Sequence, residues 1–221
     1  MKTAMATPEE ITRFEDLGRA SMQIVHDLKN QLNGLKLYAT FLRRRIEKSE
    51  RPGDEQETIT KLIGGLDRAA DDLSTIVRYG QPVELKKQSG VEADRMLREI
   101  CASFAGTSSQ MDWNSDSDGV QGKFDHFKLS DAFKWLCLGA LKHRETRNGE
   151  SEMIKVSARL ADSKTAVFEW SGLRPLDHDP FRSFAGSDEI KLALAAKIIE
   201  AHGGSARFID KKFVITLPLS G

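Results

Sequence analysis

One pattern in the first 80 residues leaves few folds open. Ile11, Phe14, Gly18, Ser21, Val25, Leu28, Leu32, Leu35, Ala39, Leu42 and Ile46 are spaced alternately three and four apart. A mostly apolar stripe with that spacing keeps one face of a helix against a partner helix. Gly18 and Ser21 weaken it locally. Arg51-Pro52-Gly53-Asp54 stops one helix and starts another, because proline cannot continue the backbone ladder. A second stripe follows at Ile59, Leu62, Leu66, Ala69, Leu73 and Ile76, and Gly80-Gln81-Pro82 ends it. Two long helices joined by a short turn make an antiparallel hairpin. Its seam stays wet on one side unless something covers it. A second copy covers it by closing a four-helix bundle; packing on the rest of the same chain is the alternative. Residues 1–80 are thus expected to form a helical hairpin, and the chain a homodimer.

From residue 81 to 221 the character changes. Val83 to Lys86 reads as a short strand, and Ala93 to Phe104 as a helix. Thr107 to Gly122 is polar and rich in Gly, Ser and Asp, so it reads as a loop or an irregular edge. Phe127 to His143 is helical, with Leu129, Phe133, Leu136 and Ala140 on one face. Ile154 to Leu160 and Ala166 to Trp170 read as strands. Leu192 to Ala201 is a helix ended by His202-Gly203-Gly204. Ala206 to Ile209 and Phe213 to Leu217 close as a hairpin around Asp210-Lys211-Lys212. Mixed strands and helices over this length predict an α/β sandwich.

Lys plus Arg and Asp plus Glu both number 33, so the formal charge is zero. A general nucleic-acid binder needs a basic excess, so none is expected as a partner. No stretch is long and apolar enough to span a bilayer, and Met1 to Glu10 lacks the apolar run of a secretory signal. No membrane association and a cytoplasmic location are expected. Cys101 and Cys137 then read as small buried thiols rather than a disulfide.

The chemistry lies in Ser21 to Asn33. Val25, Leu28 and Leu32 face the seam, and His26 falls beside it on the water side. Asn30 and Asn33, four and seven residues on, share its helix face. An accessible imidazole on a rigid helix can act as a nucleophile near neutral pH. Asp27 can hold the other ring nitrogen or take a proton, and Lys29 can offset phosphoryl charge. The bland reading is a solvated histidine on an ordinary coiled coil.

His26-Asp27-Leu28-Lys29-Asn30 resembles the H-box of sensor histidine kinases. The resemblance implies that His26 accepts a phosphoryl group, that Asp27 assists and that Asn30 positions water for dephosphorylating a partner. Gln31 stands where that family commonly has proline. The second half resembles the ATP-binding domain of the same kinases, with its contact residues replaced. The two Asn positions of the N-L-x-x-N-A helix read Trp135 and Gly139, so the Mg²⁺-holding side chain is absent. The Asp that reads adenine matches Trp170, with Gly172 kept; Glu169 is a shifted substitute that its neighbours do not support. The G-L-G-L segment that approaches phosphates matches Glu189-Ile190-Lys191-Leu192. Scaffold positions Ala140, Leu192, Ile198 and Gly204 are kept.

The fold expected from the resemblance is a helical hairpin forming a dimeric four-helix bundle, followed by an α/β sandwich of the histidine-kinase ATPase type. The function it implies is histidine phosphotransfer in a two-component phosphorelay, with His26, Asp27, Lys29 and Asn30 as site residues. A response-regulator receiver domain is the expected partner and the source of Mg²⁺. No cofactor or metal of the chain's own is expected, and ATP binding is expected to be lost. Two other functions stay open: a receiver-binding regulator or phosphatase acting through Asp27 and Asn30, and an active sensor kinase with an unusual ATP site. His126, His143, His178 and His202 have no metal-site spacing, and His143 and His202 read as helix-end residues. Trp113, Trp135 and Trp170 read as core or interface. Arg43-Arg44-Arg45 reads as a solvated face or as a docking surface for an acidic partner.

Overall fold

The computed structural model describes residues 28–44, 53–105, 111–115, 119–147, 150–183 and 187–219, together with Val25 and Ile46. The chain divides into two compact units, Met1–Gln81 and Pro82–Gly221.

The first unit is helical. Helix α1 is described over residues 28–44, and α2 runs Gly53–Gly80. An ion pair between Lys36 and Asp67 ties them. Ala39 and Thr75 are the buried side chains of the unit among the described residues, and the Thr75 hydroxyl donates to the Asp71 carbonyl at 2.9 Å. Leu28, Leu35, Leu42 and Leu62 from the two stripes stay exposed.

The second unit is an α/β domain. Strand β1 (Gln88–Glu92) leads into α3 (Ala93–Ala105), β2 (Met111–Ser115), β3 (Gln121–Phe124) and α4 (His126–Lys142). The short pair β4 (Thr146–Arg147) and β5 (Glu150–Ser151) precedes β6 (Ile154–Asp162) and β7 (Thr165–Ser171). Helix α5 (Ser187–Ala201), β8 (Ser205–Ile209) and β9 (Lys212–Pro218) complete it. The main sheet has the order β2-β6-β7-β9-β8. Only β2 runs parallel to its neighbour, β6; the other pairs are antiparallel. Strand β7 lies in the middle and buries Ala166, Val167, Phe168 and Trp170. Leu129, Phe133 and Leu136 of α4 and Leu192, Ile198 and Ile199 of α5 are buried as well, so α4 contributes the face its periodicity indicates.

Three local devices set the frame. Asp125 caps α4: its Oδ1 accepts from the Lys128 N–H at 3.0 Å and its Oδ2 from the Lys86 N–H at 2.7 Å. Helix α5 ends in a Schellman turn, where Gly203 (φ 86°) donates to Glu200 O and Gly204 to Ile199 O. A Cβ on Gly204 would stand 2.1 Å from the Thr216 carbonyl, so only glycine fits there. Asp210 and Lys211 both have positive φ, the backbone that a two-residue turn needs to match strand twist.

The sequence expectations need three corrections. Residues 82–87 are not a strand; the Lys86 N–H goes to the α4 cap instead of a ladder, and β1 starts at Gln88. The polar stretch 107–122 contains β2, which pairs with β6 from Met111↔Ile154 to Ser115↔Ala158. Helix α5 starts at Ser187 rather than Leu192, favoured by Asp188 and Glu189 in its first turn. The segment matched to G-L-G-L therefore lies inside the helix.

Candidate functional site

Of the four site residues named from sequence, His26 and Asp27 lie outside the described residues. Lys29 is half-buried and Asn30 exposed on α1, with Asn33 exposed one turn further on. The helix thus presents the asparagines to solvent.

The α/β unit positions the other candidates. Gly139 is buried in the middle of α4, where glycine costs about 1 kcal/mol relative to alanine. Its reason is on α5. A Cβ on Gly139 would stand 2.5 Å from Leu192 Cδ2 and 2.9 Å from Cδ1 and Cγ. The leucine side chain fills the space that any side chain at 139 would need.

Trp170 on β7 is fully buried. Its indole N–H points to Cys137 Sγ at 3.4 Å, and its ring lies 6.1 Å from that of Phe133. The alternation of the strand sends Glu169 to the opposite face. There it takes Lys212 Nζ at 3.2 Å and Arg159 Nη2 at 3.3 Å. Burial pushes the Glu169 carboxyl up, but these two hydrogen-bonded cations outweigh it and hold it below its ordinary value. Glu169 is committed to a cross-strand ion cluster.

Glu189, in the first turn of α5, is nearly buried. Its Oε1 lies 3.2 Å from His178 Nε2, and its Oε2 accepts from the Ser183 hydroxyl. Both partners come from the loop after β7, where Phe181 packs on Phe213 at 5.1 Å between centroids. Lys142 at the end of α4 pairs with Asp188 at 2.8 Å and, through that hydrogen bond, holds the aspartate below its usual value. His143 caps α4 at its C-terminus. Burial first, then the Arg174 and Lys142 charges, depress its pKa. Gly172 (φ 92°) would push a Cβ to 2.8 Å from Met153 O, and its carbonyl accepts from Glu145 N–H at 2.8 Å. Its glycine serves the bend.

Sequence reading missed the roles of His178 and Ser183. Neither belongs to a periodic segment, and the loop alone brings them to Glu189. The Gly139–Leu192 contact did leave a signal, a glycine among the apolar positions of a helix. Among the described residues no group of three His, Cys, Asp or Glu is arranged to hold a metal.

A five-stranded mixed sheet with three helices, preceded by a helical unit, is the fold of a histidine-kinase core with its ATPase-type domain. Solved structures with this fold include full-length ShkA in complex with AMPPNP, at TM-score 0.70 and 18% identity over 96% of this chain and 46% of that one. Histidine kinase ThkA in complex with the response regulator protein TrrA matches at TM-score 0.61 and 16% identity, over 98% of this chain and 68% of that one. The Acinetobacter baumannii histidine kinase AdeS matches at TM-score 0.57 and 16% identity, over 88% and 97% of the two chains. The chain spans less than half the length of ShkA. No protein-family model and no curated protein sequence matches the chain.

Proposed function

We propose that the chain is a histidine phosphotransfer protein of a two-component phosphorelay. His26 takes a phosphoryl group from the phosphoaspartate of a receiver domain and hands it to a second receiver. Two copies pair their hairpins as a four-helix bundle. The imidazole nitrogen attacks phosphorus in line, and the bond from phosphorus to the aspartyl oxygen breaks with its electrons leaving on the carboxylate. Asp27 holds or takes the ring proton, Lys29 offsets the phosphoryl charge and Asn30 orients the group or a water. The receiver brings the Mg²⁺.

The observation that carries this reading is the packing of Leu192 over Gly139. The resemblance matches position 139 to the Mg²⁺-holding asparagine; here Leu192 fills the space that a side chain at 139 would need. Trp170, matched to the adenine-reading acid, is walled into the core, and Glu189, matched to a phosphate-binding glycine, is a carboxylate. These residues do not fit a Mg²⁺-nucleotide. Leu28, Leu35 and Leu42, exposed at seven-residue intervals on α1, support pairing with a second copy. The receiver partner is favoured by the H-box resemblance, and ThkA, which shares the fold, was solved with a response regulator.

Incubation with radiolabelled phosphoreceiver domains, beside labelled Mg²⁺-ATP, tests the proposal. Acid-labile label should reach the wild-type chain from a receiver and not from ATP, and His26→Ala should remove it. Label from ATP would identify a sensor kinase instead. A receiver that loses phosphate while the chain stays unlabelled would identify a phosphatase-type regulator.

A further inference from the structure

The α/β unit holds a pair of reactive side chains that phosphotransfer does not use. Cys101 lies on α3 and Cys137 on α4, and the chain has no other cysteine. Both are free thiols and both are buried, at 2% and 0% exposure. They are far apart in sequence, yet the packing of α3 on α4 brings them together, and the two thiols hydrogen-bond to each other. Cys137 Sγ also faces the Trp170 indole N–H of β7 at 3.4 Å.

A buried cysteine alone is a small apolar side chain. Two in contact are different, because the second thiol can trap an oxidised first one. Thiols already side by side need small side-chain rotations to close a disulfide, whereas a distant pair would need the backbone to move. With no third cysteine, nothing in the chain competes for the bond.

Burial keeps the pair reduced at rest. It pushes the Cys137 thiol up, and the Cys101 thiol beside it adds to that, against the Trp170 N–H. A neutral thiol is a poor nucleophile. Cys101 is the less enclosed of the two, and its helix presents Arg95, Arg98, Glu99, Ala102 and Ser103 to solvent. Local opening of α3 bares Cys101 without unfolding the sheet.

We infer that Cys101 and Cys137 form a reversible, peroxide-sensitive disulfide that staples α3 to α4. When α3 opens, the Cys101 sulfur attacks one oxygen of hydrogen peroxide. The O–O bond breaks, water leaves and Cys101 becomes a sulfenic acid. As α3 closes, the Cys137 sulfur attacks the Cys101 sulfur, the S–O bond breaks and a second water leaves. The two thiols lose two electrons to the peroxide, and their protons end in the two waters. A small dithiol reverses the bond by exchange. In a reducing compartment the pair is thiols at rest and a disulfide only under oxidant. The inference does not depend on the phosphotransfer reading.

The test exposes the 221-residue chain, under native conditions, to hydrogen peroxide for a day. The peroxide is then removed and free thiols are alkylated in denaturant. The two alkylatable thiols should fall to none, and a dithiol should restore both. The intact mass should drop by two hydrogens, with the chain still at monomer mass on a denaturing, non-reducing gel. The oxidised chain should unfold at a higher urea midpoint than the reduced one, because the cross-link constrains the unfolded chain. Thiols that stay free, at a peroxide level that oxidises glutathione fully, would overturn the inference. So would a disulfide between two chains, or a sulfinic acid on one sulfur with no cross-link. A cross-linked chain that unfolds more easily than the reduced one would also overturn it, since the bond would then be foreign to the native packing.

Discussion

At the scale of single residues, His202 shows how a group just past a helix end becomes structural. Its Nδ1 lies 2.8 Å from the Ile198 carbonyl and can reach it only as a donor. Its Nε2 is then the acceptor for the Asp125 N–H at 3.0 Å. The two bonds fix a neutral tautomer, and a second proton would have nowhere to go. Burial is the largest cause of its lowered pKa, ahead of the Lys87 charge; the Ile198 hydrogen bond and the Asp125 charge oppose the shift. His143 is shifted the same way. The unfolded chain then binds protons near the ordinary histidine value of about 6.5 that the folded chain refuses. Stability is therefore full above that value and falls as pH drops through it toward the folded pKa values. Asp125 adds a second step at lower pH. Burial pushes its carboxyl up, but the N–H groups of Lys128, Lys86 and Phe127 that it accepts from outweigh that and hold it low. Urea unfolding of the α/β unit, followed by tryptophan fluorescence, should show a lower midpoint at pH 5.5 than at pH 7.5. His202→Gln should lower the midpoint at both values and reduce the difference between them. A midpoint that does not change across this range would contradict the assigned protonation states.

Between elements, the meeting of α4 and α5 is the informative contact. Restoring an asparagine at position 139 puts its Cβ within 3 Å of three Leu192 atoms that are themselves buried. Gly139→Asn should therefore destabilise the α/β unit by about 1–3 kcal/mol, without giving nucleotide affinity. Adding Leu192→Ala should recover part of that loss, because the two changes share one space. Chemical denaturation of the single and double variants measures the coupling, and simple additivity would show that the two side chains do not compete. The same contact marks how far the sequence was legible. The apolar period of α4 gave its span almost to the residue, and Gly203-Gly204 marked the end of α5. Gly139, Trp170 and Glu189 stood out in the sequence by residue type. Their surroundings did not: Leu192 packs on Gly139 from another helix, and His178 and Ser183 reach Glu189 across the irregular loop before α5. Strand β2 was hidden because its alternation, Met111 buried and Asp112 exposed, is short and flanked by polar residues. Residues 82–87 have strand-like alternation but no ladder partner, and their Lys86 N–H serves Asp125 instead.

For the molecule as a whole, the open question is what covers the hairpin. Leu28, Leu35, Leu42 and Leu62 are 44%, 54%, 53% and 51% exposed, although both stripes have the spacing of packed helices. Burying the exposed half of each contributes roughly 1 kcal/mol, so about 8 kcal/mol for a symmetric pair of chains. The loss of translational and rotational freedom costs about 4–15 kcal/mol. The leucines alone thus come close to balancing association, and further seam contacts decide it. A pair held by so narrow a margin is sensitive to charge. Leu35→Glu with Leu42→Glu would place four carboxylates in one bundle, where each loses water and repels the others. The double variant of the 221-residue chain is expected to sediment as a monomer at concentrations where the wild type is a dimer. Its α/β unit should keep the wild-type urea midpoint, because Pro82–Gly221 is a separate compact unit with its own core. If both chains sediment as monomers, the exposed leucines are not a dimer seam and the bundle is lost from the proposal. If both remain dimers, the pairing surface lies elsewhere on the chain, and the exposed Leu37 and Phe41 of α1 become the first place to look.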